Sequence, residues 1–412
     1  MISRSILFMV SFKFPALLKS AVVVSSCFVS LQAIAASDDF SQCVDKLKVT
    51  ARSEGLSEQT INTSVANLKY IPRVIELDNQ QPEFSTTFGN YFNKRVTDWR
   101  VKEGRRLLAE HRELLNKLTL EYGVPGQYII AFWGLETNFG GYKGKMSVLN
   151  SLATLACDPR RSSYFTNELM QALKLKEKYQ FDDATMVGSW AGAMGHTQFM
   201  PTNYAKYAVD GDGDGKVDLW NSTADALTSA ANFLQQLGWK ANERWGREVL
   251  LPENYDYQYL GRKHPKPLTD WAALNLKQAN GTPLTTPEME ASLYVPSGHT
   301  GPAFLGYDNF DVIMRWNRSE FYAIAVGHLA DRVNGAAPLR VSAPDHGLFN
   351  RSDIKLMQAK LNELGFDVGK PDGVLGRNSI AGVQAFQRSK NLIADGFPDQ
   401  KTFAALGIKI SL

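Results

Sequence analysis

Two arrangements of carboxylates in this 412-residue chain could do chemistry. The first is solitary. Glu136 closes the run Tyr128-Ile-Ile-Ala-Phe-Trp-Gly-Leu-Glu136 and is followed by Thr-Asn-Phe-Gly140-Gly141. The run is apolar on every side, so as a helix it would be buried all round. Pro125 suits its first turn and the two glycines suit its exit. Glu136 would therefore sit at the C-terminal end of a core helix, where desolvation and the helix dipole both disfavour its charge. A carboxyl kept protonated near neutral pH is a general acid. Taken by itself, the same residue could equally begin a solvated loop. The second arrangement is crowded: Asp210-Gly-Asp212-Gly-Asp214-Gly215-Lys216-Val-Asp218-Leu-Trp-Asn221. Alternating carboxylates on a curled loop converge several oxygens on one point, as a calcium-binding EF-hand loop requires. The candidate ligands are Asp210, Asp212, Asp214, Lys216 and Asp218, and the position Lys216 holds offers a backbone carbonyl in such loops. Asn221 replaces the closing bidentate glutamate, and Asp225 could supply that oxygen in a longer loop. A single loop without a second hand implies a structural ion rather than a sensor.

Helices must position both. Apolar spacing predicts helical segments over 41–70, with Ser57 as a start, over 101–122 as one long helix, and over 147–156, 162–179, 223–237 and 319–333. Between them, Gly188 to Tyr204 mixes small residues with aromatics. Such a segment permits close backbone approach, either for a tight helix crossing or for a substrate groove. Residues 248–310 change texture, with prolines, glycines and short β-type runs, and read as a small β insertion. Residues 336–344 read as a linker, and 345–412 carry their own apolar pattern. No internal repeat is evident. The fold class expected is α+β, mostly helical.

Composition excludes several functions. Arg4, Lys13 and Lys19, a short apolar run and the small residues Ala33-Ile-Ala-Ala36 read as a secretory signal peptide over 1–36. Its removal takes three of 45 basic residues and no acid, leaving 42 against 42 acidic residues. A neutral mature chain gives no support to nucleic-acid binding, and no transmembrane helix is expected in it. A periplasmic, exported form follows. An alternative is an outer-membrane lipoprotein anchored through Cys27, against which the continuing run Phe28-Val-Ser-Leu31 speaks. Cys43 and Cys157 remain as a candidate disulfide in an oxidising compartment, or as two buried thiols.

Several motifs occur in one order: Gly-Leu-Glu136-Thr-Asn-Phe-Gly, Ser-Leu-Ala-Thr-Leu-Ala before Pro159-Arg160-Arg161, Ser189-Trp190-Ala-Gly-Ala-Met-Gly-His-Thr-Gln198-Phe-Met-Pro, the acidic loop, and Trp316-Asn317-Arg-Ser. Together these resemble the B-type lytic murein transglycosylases over roughly residues 40–335. The resemblance implies a lysozyme-like catalytic domain over 37–335 that cuts the bond between N-acetylmuramic acid and N-acetylglucosamine and leaves a 1,6-anhydro product. It implies Glu136 as sole acid and base. Ser189, Trp190, Gln198, Tyr204, Asn317, Arg160 and Arg161 are the candidate substrate contacts, the two arginines facing peptide stems or simply flanking a helix. Trp316 and Phe233 stand where some relatives have tyrosine, so the hydroxyl is missing at both. Residues 345–412, with Leu-Met-Gln358, Pro371-Asp-Gly373, Phe386-Gln387 and Asp395-Gly396, resemble a three-helix peptidoglycan-binding module. Calcium is the expected ion, no organic cofactor is expected, peptidoglycan strands are the expected partner, and a monomer is expected. The alternatives are a hydrolytic muramidase on the same fold and a non-catalytic wall-binding scaffold.

Overall fold

A computed structural model describes residues 25–80, 86–344 and 351–409. The expected leader lies largely outside these residues, and the side chain of Cys27 is not among those described. The chain divides into two compact units, Met1–Tyr70 and Ile71–Leu412. In the first, α1 (Ser25–Ser53) and α2 (Glu58–Thr63) bury Leu47, Ala51, Ile61 and Val65. Ser57 caps α2, its hydroxyl accepting from the Thr60 amide, as its position before an acidic first turn predicts.

The second unit holds the rest. Helices α3 (Pro72–Gln80) and α4 (Phe88–Arg95) lead to α5 (Asp98–Glu110) and α6 (Arg112–Tyr122). The expectation of one helix over 101–122 is corrected here. His111 leaves helical geometry (φ −94°, ψ 19°) and its ring packs edge-on to Trp133 at 5.8 Å, a tertiary contact that outweighs the local pattern. Then come α7 (Gly126–Thr137), α8 (Val148–Ala156), α9 (Ser162–Tyr179), α10 (Pro201–Tyr207) and α11 (Thr223–Gln236). As its apolar run predicts, α7 is buried along nearly its whole length, with Ile129, Ile130, Ala131 and Phe132 fully covered.

Between α7 and α10, β1 (Met146–Ser147) and β2 (Val187–Gly188) form a small antiparallel pair. The insertion is an antiparallel sheet of five strands, β3 (Gly246–Leu250), β4 (Lys266–Pro267), β5 (Lys277–Gln278), β6 (Glu290–Tyr294) and β7 (Ala303–Gly306), in the order β4-β6-β7-β3-β5. Register pairs Arg247 with Leu305 and Leu293 with Leu305, so β7 is the central strand. Its helix α12 (Leu268–Ala273) buries Trp271 in a core separate from that around α7. The chain re-enters the main core through α13 (Asp308–Trp316) and α14 (Glu320–Val333).

The C-terminal module is α15 (Arg351–Glu363), α16 (Arg377–Ser389) and α17 (Gln400–Ala405), around Met357, Leu361, Val383, Phe386 and Phe403. It contains a repeat that was not evident in the sequence. Gln358 Nε2 donates to Asp372 Oδ1 (3.1 Å), the Val374 carbonyl (3.0 Å) and Ser379 Oγ (2.9 Å), while its Oε1 accepts from the Gly373 amide. Gln387 makes the same four bonds to Asp395, Phe397, Thr402 and Gly396. Two buried glutamines thus each hold an Asp-Gly turn, and few residues other than glycine adopt the positive φ of Gly373 and Gly396 without strain. Among the described residues no helix is long and apolar enough to cross a membrane.

Candidate active site

Glu136 is the penultimate residue of α7. The helix ends with Asn138 and Phe139 in left-handed conformation, and Gly140 (φ 80°) passes so close to His196 that a Cβ would fall 2.2 Å from its ring. Thr137 ties this exit down, donating to the His196 carbonyl (2.8 Å) and accepting from the Gly140 amide (3.0 Å). Arg100 Nη2 reaches back to Asn138 Oδ1 (3.0 Å), and its Nη1 bonds the last carbonyls of α4. The end of α7 is therefore fixed from two sides before any substrate arrives.

Both protein donors to Glu136 use one oxygen. Trp316 Nε1 donates to Oε1 at 2.9 Å and Tyr322 OH donates to the same Oε1 at 2.5 Å. Among the described residues nothing donates to Oε2. Burial raises the carboxyl above the ordinary glutamate range; the two hydrogen bonds and the more distant Arg95 pull the other way without reversing it. The residue keeps partial exposure, although its carboxyl is closely surrounded by protein. Desolvation is set by the atoms around the carboxyl, so partial exposure of the residue does not relieve it. With Oε1 occupied by two donors, the acidic proton belongs on Oε2. Tyr322 is pushed well above its ordinary range by burial and by the neighbouring carboxylate, so it remains a donor.

The donors come from one bend. Trp316 ends α13, Asn317 caps it, and Ser319 caps α14 by accepting from the Tyr322 amide. Two donors six residues apart, on either side of this bend, thus converge on a carboxylate 180 and 186 positions earlier. Trp316 makes its contact through the indole N–H, without a hydroxyl. Its ring is wedged among Phe132 (4.5 Å), Phe233 (5.0 Å) and Phe199 (5.5 Å), which gives Phe233 a packing role without a hydroxyl. Tyr322 lies just beyond the Trp316-Asn317-Arg-Ser motif and is not among the sequence candidates; a polar aromatic one turn into a helix capped by Ser319 was the available signal.

The other candidates divide. Ser189 accepts from the Ala193 amide (3.0 Å), fixing a glycine-rich turn. Gln198 sits at φ 49°, and its Nε2 donates to the Gly195 (2.9 Å) and Lys143 (3.2 Å) carbonyls, leaving Oε1 as its open atom. Trp190 is partly buried and Asn317 is exposed. Tyr204 is a correction. It is 1% exposed, and its hydroxyl donates to the Val217 carbonyl at 2.6 Å, so it buttresses the acidic loop and cannot touch a substrate. Arg160 and Arg161 both pair with buried Asp78, and Arg160 also with Asp158 (2.9 Å). Cys43 and Cys157 are each disulfide-bonded.

In the acidic loop, oxygens of Asp210, Asp212 and Asp214 lie within 4.8 Å of one another. Asp210 is already a good acceptor, taking the Gly213 (2.6 Å) and Gly215 (2.8 Å) amides, which hold its carboxyl below the usual range. Asp218 caps the Trp220 and Asn221 amides, and buried Asp225 accepts from Gly211 (2.8 Å) and Asp218 (2.6 Å). The donor set is all oxygen and anionic, which fits a hard cation.

Comparison with known proteins follows the same outline. Residues 39–331 match the Transglycosylase SLT domain family, and residues 350–406 match a peptidoglycan binding domain family. The membrane-bound lytic murein transglycosylase B of Escherichia coli is 32% identical over 307 residues, covering 71% of this chain and 81% of that protein. SltB3 of Pseudomonas aeruginosa, solved in complex with NAG-anhNAM-pentapeptide, has a TM-score of 0.85 at 38% identity and covers 89% of this chain and 99% of its own. Escherichia coli Slt35, solved in complex with calcium, has a TM-score of 0.60 at 31% identity over 72% of this chain and 92% of its own. The α+β, mostly helical architecture is thus a lysozyme-like one, and the chain belongs to the transglycosylase SLT domain family, as a peptidoglycan lytic transglycosylase with a C-terminal peptidoglycan-binding region.

Proposed function

We propose that Glu136 alone serves as acid and then base in cleaving the bond between N-acetylmuramic acid and N-acetylglucosamine. The observation that carries this is the one-sided loading of its carboxylate: Trp316 and Tyr322 both on Oε1, Oε2 free. Protonated Oε2 delivers its proton to the glycosidic oxygen. As charge develops on Glu136, the two donors on Oε1 stabilise it. The carboxylate then takes the proton of the C6 hydroxyl on the same muramyl ring, and that oxygen closes on C1 to give the 1,6-anhydro sugar. A classical glycosidase needs a second carboxylate as nucleophile or water-activating base. Here the nucleophile is intramolecular, so its effective concentration is already high. Three aspartates that a second-acid role could draw on carry other duties: Asp158 pairs with Arg160, Asp183 with Lys176, and Asp182 accepts from the Thr185 amide. Ser189, Trp190, the free Oε1 of Gln198 and Asn317 are proposed along the groove, and Arg160 and Arg161 at its peptide end. Mass spectrometry of products from purified sacculi is the test. Anhydro ends are expected; reducing ends would instead identify a hydrolytic muramidase.

Calcium is proposed on Asp210, Asp212 and Asp214, with the Lys216 carbonyl and Asp218 completing the set and Asp225 organising the loop from behind. The ion would neutralise three converging carboxylates and brace the Gly188–Tyr204 segment through Tyr204; no chemical step involves it. The proposed boundaries are a catalytic region at 37–335, a linker at 336–344 and a wall-binding module at 345–412. Export by a leader over 1–36 into the periplasm is the favoured location, with a lipid anchor at Cys27 as the alternative. A Cys43–Cys157 disulfide fits the oxidising compartment.

A further inference from the structure

His196 has no part in the cleavage steps described above, yet the exit of α7 is folded round it. Trp133, three residues before Glu136, donates its indole N–H to His196 Nδ1 at 2.9 Å. Thr137, the residue after Glu136, donates to the His196 carbonyl at 2.8 Å. Beyond Thr137 the chain turns back over the imidazole. The three heavy atoms nearest a Cβ placed on Gly140 are all His196 ring atoms, the first at 2.2 Å. Glycine is therefore required there by the ring as well as by its φ of 80°.

The other side of His196 is anchored as well. Its amide donates to the Leu219 carbonyl at 2.8 Å. An indole N–H only donates, so Nδ1 accepts and the ring proton sits on Nε2. Lys143 Nζ stands 3.4 Å from Nε2 and donates to the Trp220 carbonyl at 2.7 Å. Burial, with the Lys143 cation beside it, pushes the imidazole down to about 4, so the ring is neutral near neutral pH and keeps its acceptor. The Lys143 carbonyl in turn accepts from Gln198 Nε2 at 3.2 Å. One side chain thus joins the helix end that carries Glu136 to the segment that carries Gln198.

We propose that His196 is a positioning residue for the cleavage reaction, setting where Glu136 stands relative to its donors Trp316 and Tyr322 and to Gln198. It touches no reacting atom. Its bonds to Trp133 and Thr137 bracket Glu136 in sequence, so the carboxyl between them cannot slide along α7 or turn about it without breaking one. The two bonds to Oε1, at 2.9 and 2.5 Å, leave little room for such a shift. A buried polar network of this kind holds one geometry, and the ring is its centre. The inference rests on the reading of Glu136 as acid and base.

The test compares two variants of the full chain: His196→Leu, which deletes the acceptor, and His196→Asn, whose Oδ1 stands near the place of Nδ1. Two readouts are taken below Tm. One is kcat and KM on a soluble peptidoglycan tetrasaccharide; the other is the Glu136 carboxyl titration, by infrared difference against the same background carrying Glu136→Gln. With leucine, kcat should fall about ten- to a hundredfold, as misplacing a catalytic group by about 1 Å does, with KM little changed. The carboxyl should titrate at higher pH than in the parent, because the donors that stabilise its charged form no longer align with Oε1. Asparagine should restore most of both. A merely structural role lowers Tm but leaves the titration of the folded protein in place; that result overturns the proposal, as does a loss carried by KM alone or an asparagine variant as impaired as the leucine one. If His196→Leu does not fold, Trp133→Phe removes the same bond from the donor side and should move the titration the same way, and no shift there overturns the proposal equally. The titration reads the carboxyl without turnover. Retained activity in Glu136→Gln would therefore sink the acid reading, while the titration still judges His196 by itself.

Discussion

The two acidic sites of this protein differ in what surrounds the oxygens. At Glu136 a single carboxylate is buried at the negative end of a helix and held by two neutral donors, and burial raises its affinity for a proton. At Asp210–Asp214 three carboxylates crowd an exposed loop, and backbone amides hold Asp210 in its charged form. One environment favours a proton that can be given away, the other a cation that stays. The lesson is that the number of acids does not set the role; the dielectric and the donors around them do.

The largest effect that could break this contrast is on turnover. Glu136→Gln should lower kcat about 10²- to 10⁴-fold, the usual worth of a general acid and base, while sacculus pelleting stays intact. Turnover within tenfold of the parent removes Glu136 from the chemistry. Next comes Tyr322→Phe, which deletes the closer donor on Oε1. A lost hydrogen bond to a charged group costs about 1.5–3 kcal/mol, so kcat should fall about ten- to a hundredfold. The donor stabilises the carboxylate, so its removal raises the proton affinity of Glu136 further. The alkaline limb of the kcat/KM profile should then move to higher pH, and a limb that stays or moves down contradicts the assigned hydrogen bond.

Effects on stability are smaller. Chelator should lower Tm, because an ion bound only to the folded state at about 100 times its Kd adds about 2.7 kcal/mol; Asp212→Asn should abolish most of that response. A chelator-indifferent parent sinks the cation site. Finally, Glu136→Gln should raise Tm slightly at neutral pH. A carboxyl whose proton affinity is raised on folding favours the fold at low pH, and that contribution is lost as pH rises through its folded value. The gain from Gln should therefore disappear at pH values below the ordinary carboxylate range, whereas a pH-independent change points to packing.

Much of this was readable along the chain. The all-round apolar run before Glu136, the Ser57 cap, and the alternating aspartates each state their structure locally, within one helical turn or one loop. What escaped was long-range. No local pattern tells that the indole of Trp316 and the hydroxyl of Tyr322 meet Glu136, or that Asp78 is the partner of Arg160 and Arg161. Tyr204 looked like part of a groove because it ends a small-residue segment, yet α10 turns it inward under the acidic loop. The break at His111 and the seating of Asp395 on His299 likewise depend on partners far away in sequence.

The most direct measurement is the titration of Glu136 itself, by infrared or carbon-13 difference spectra between the parent and Glu136→Gln. The account predicts a carboxyl that titrates above the ordinary glutamate value of about 4.3 and moves up again in Tyr322→Phe. A carboxyl that ionises at or below that value would contradict it.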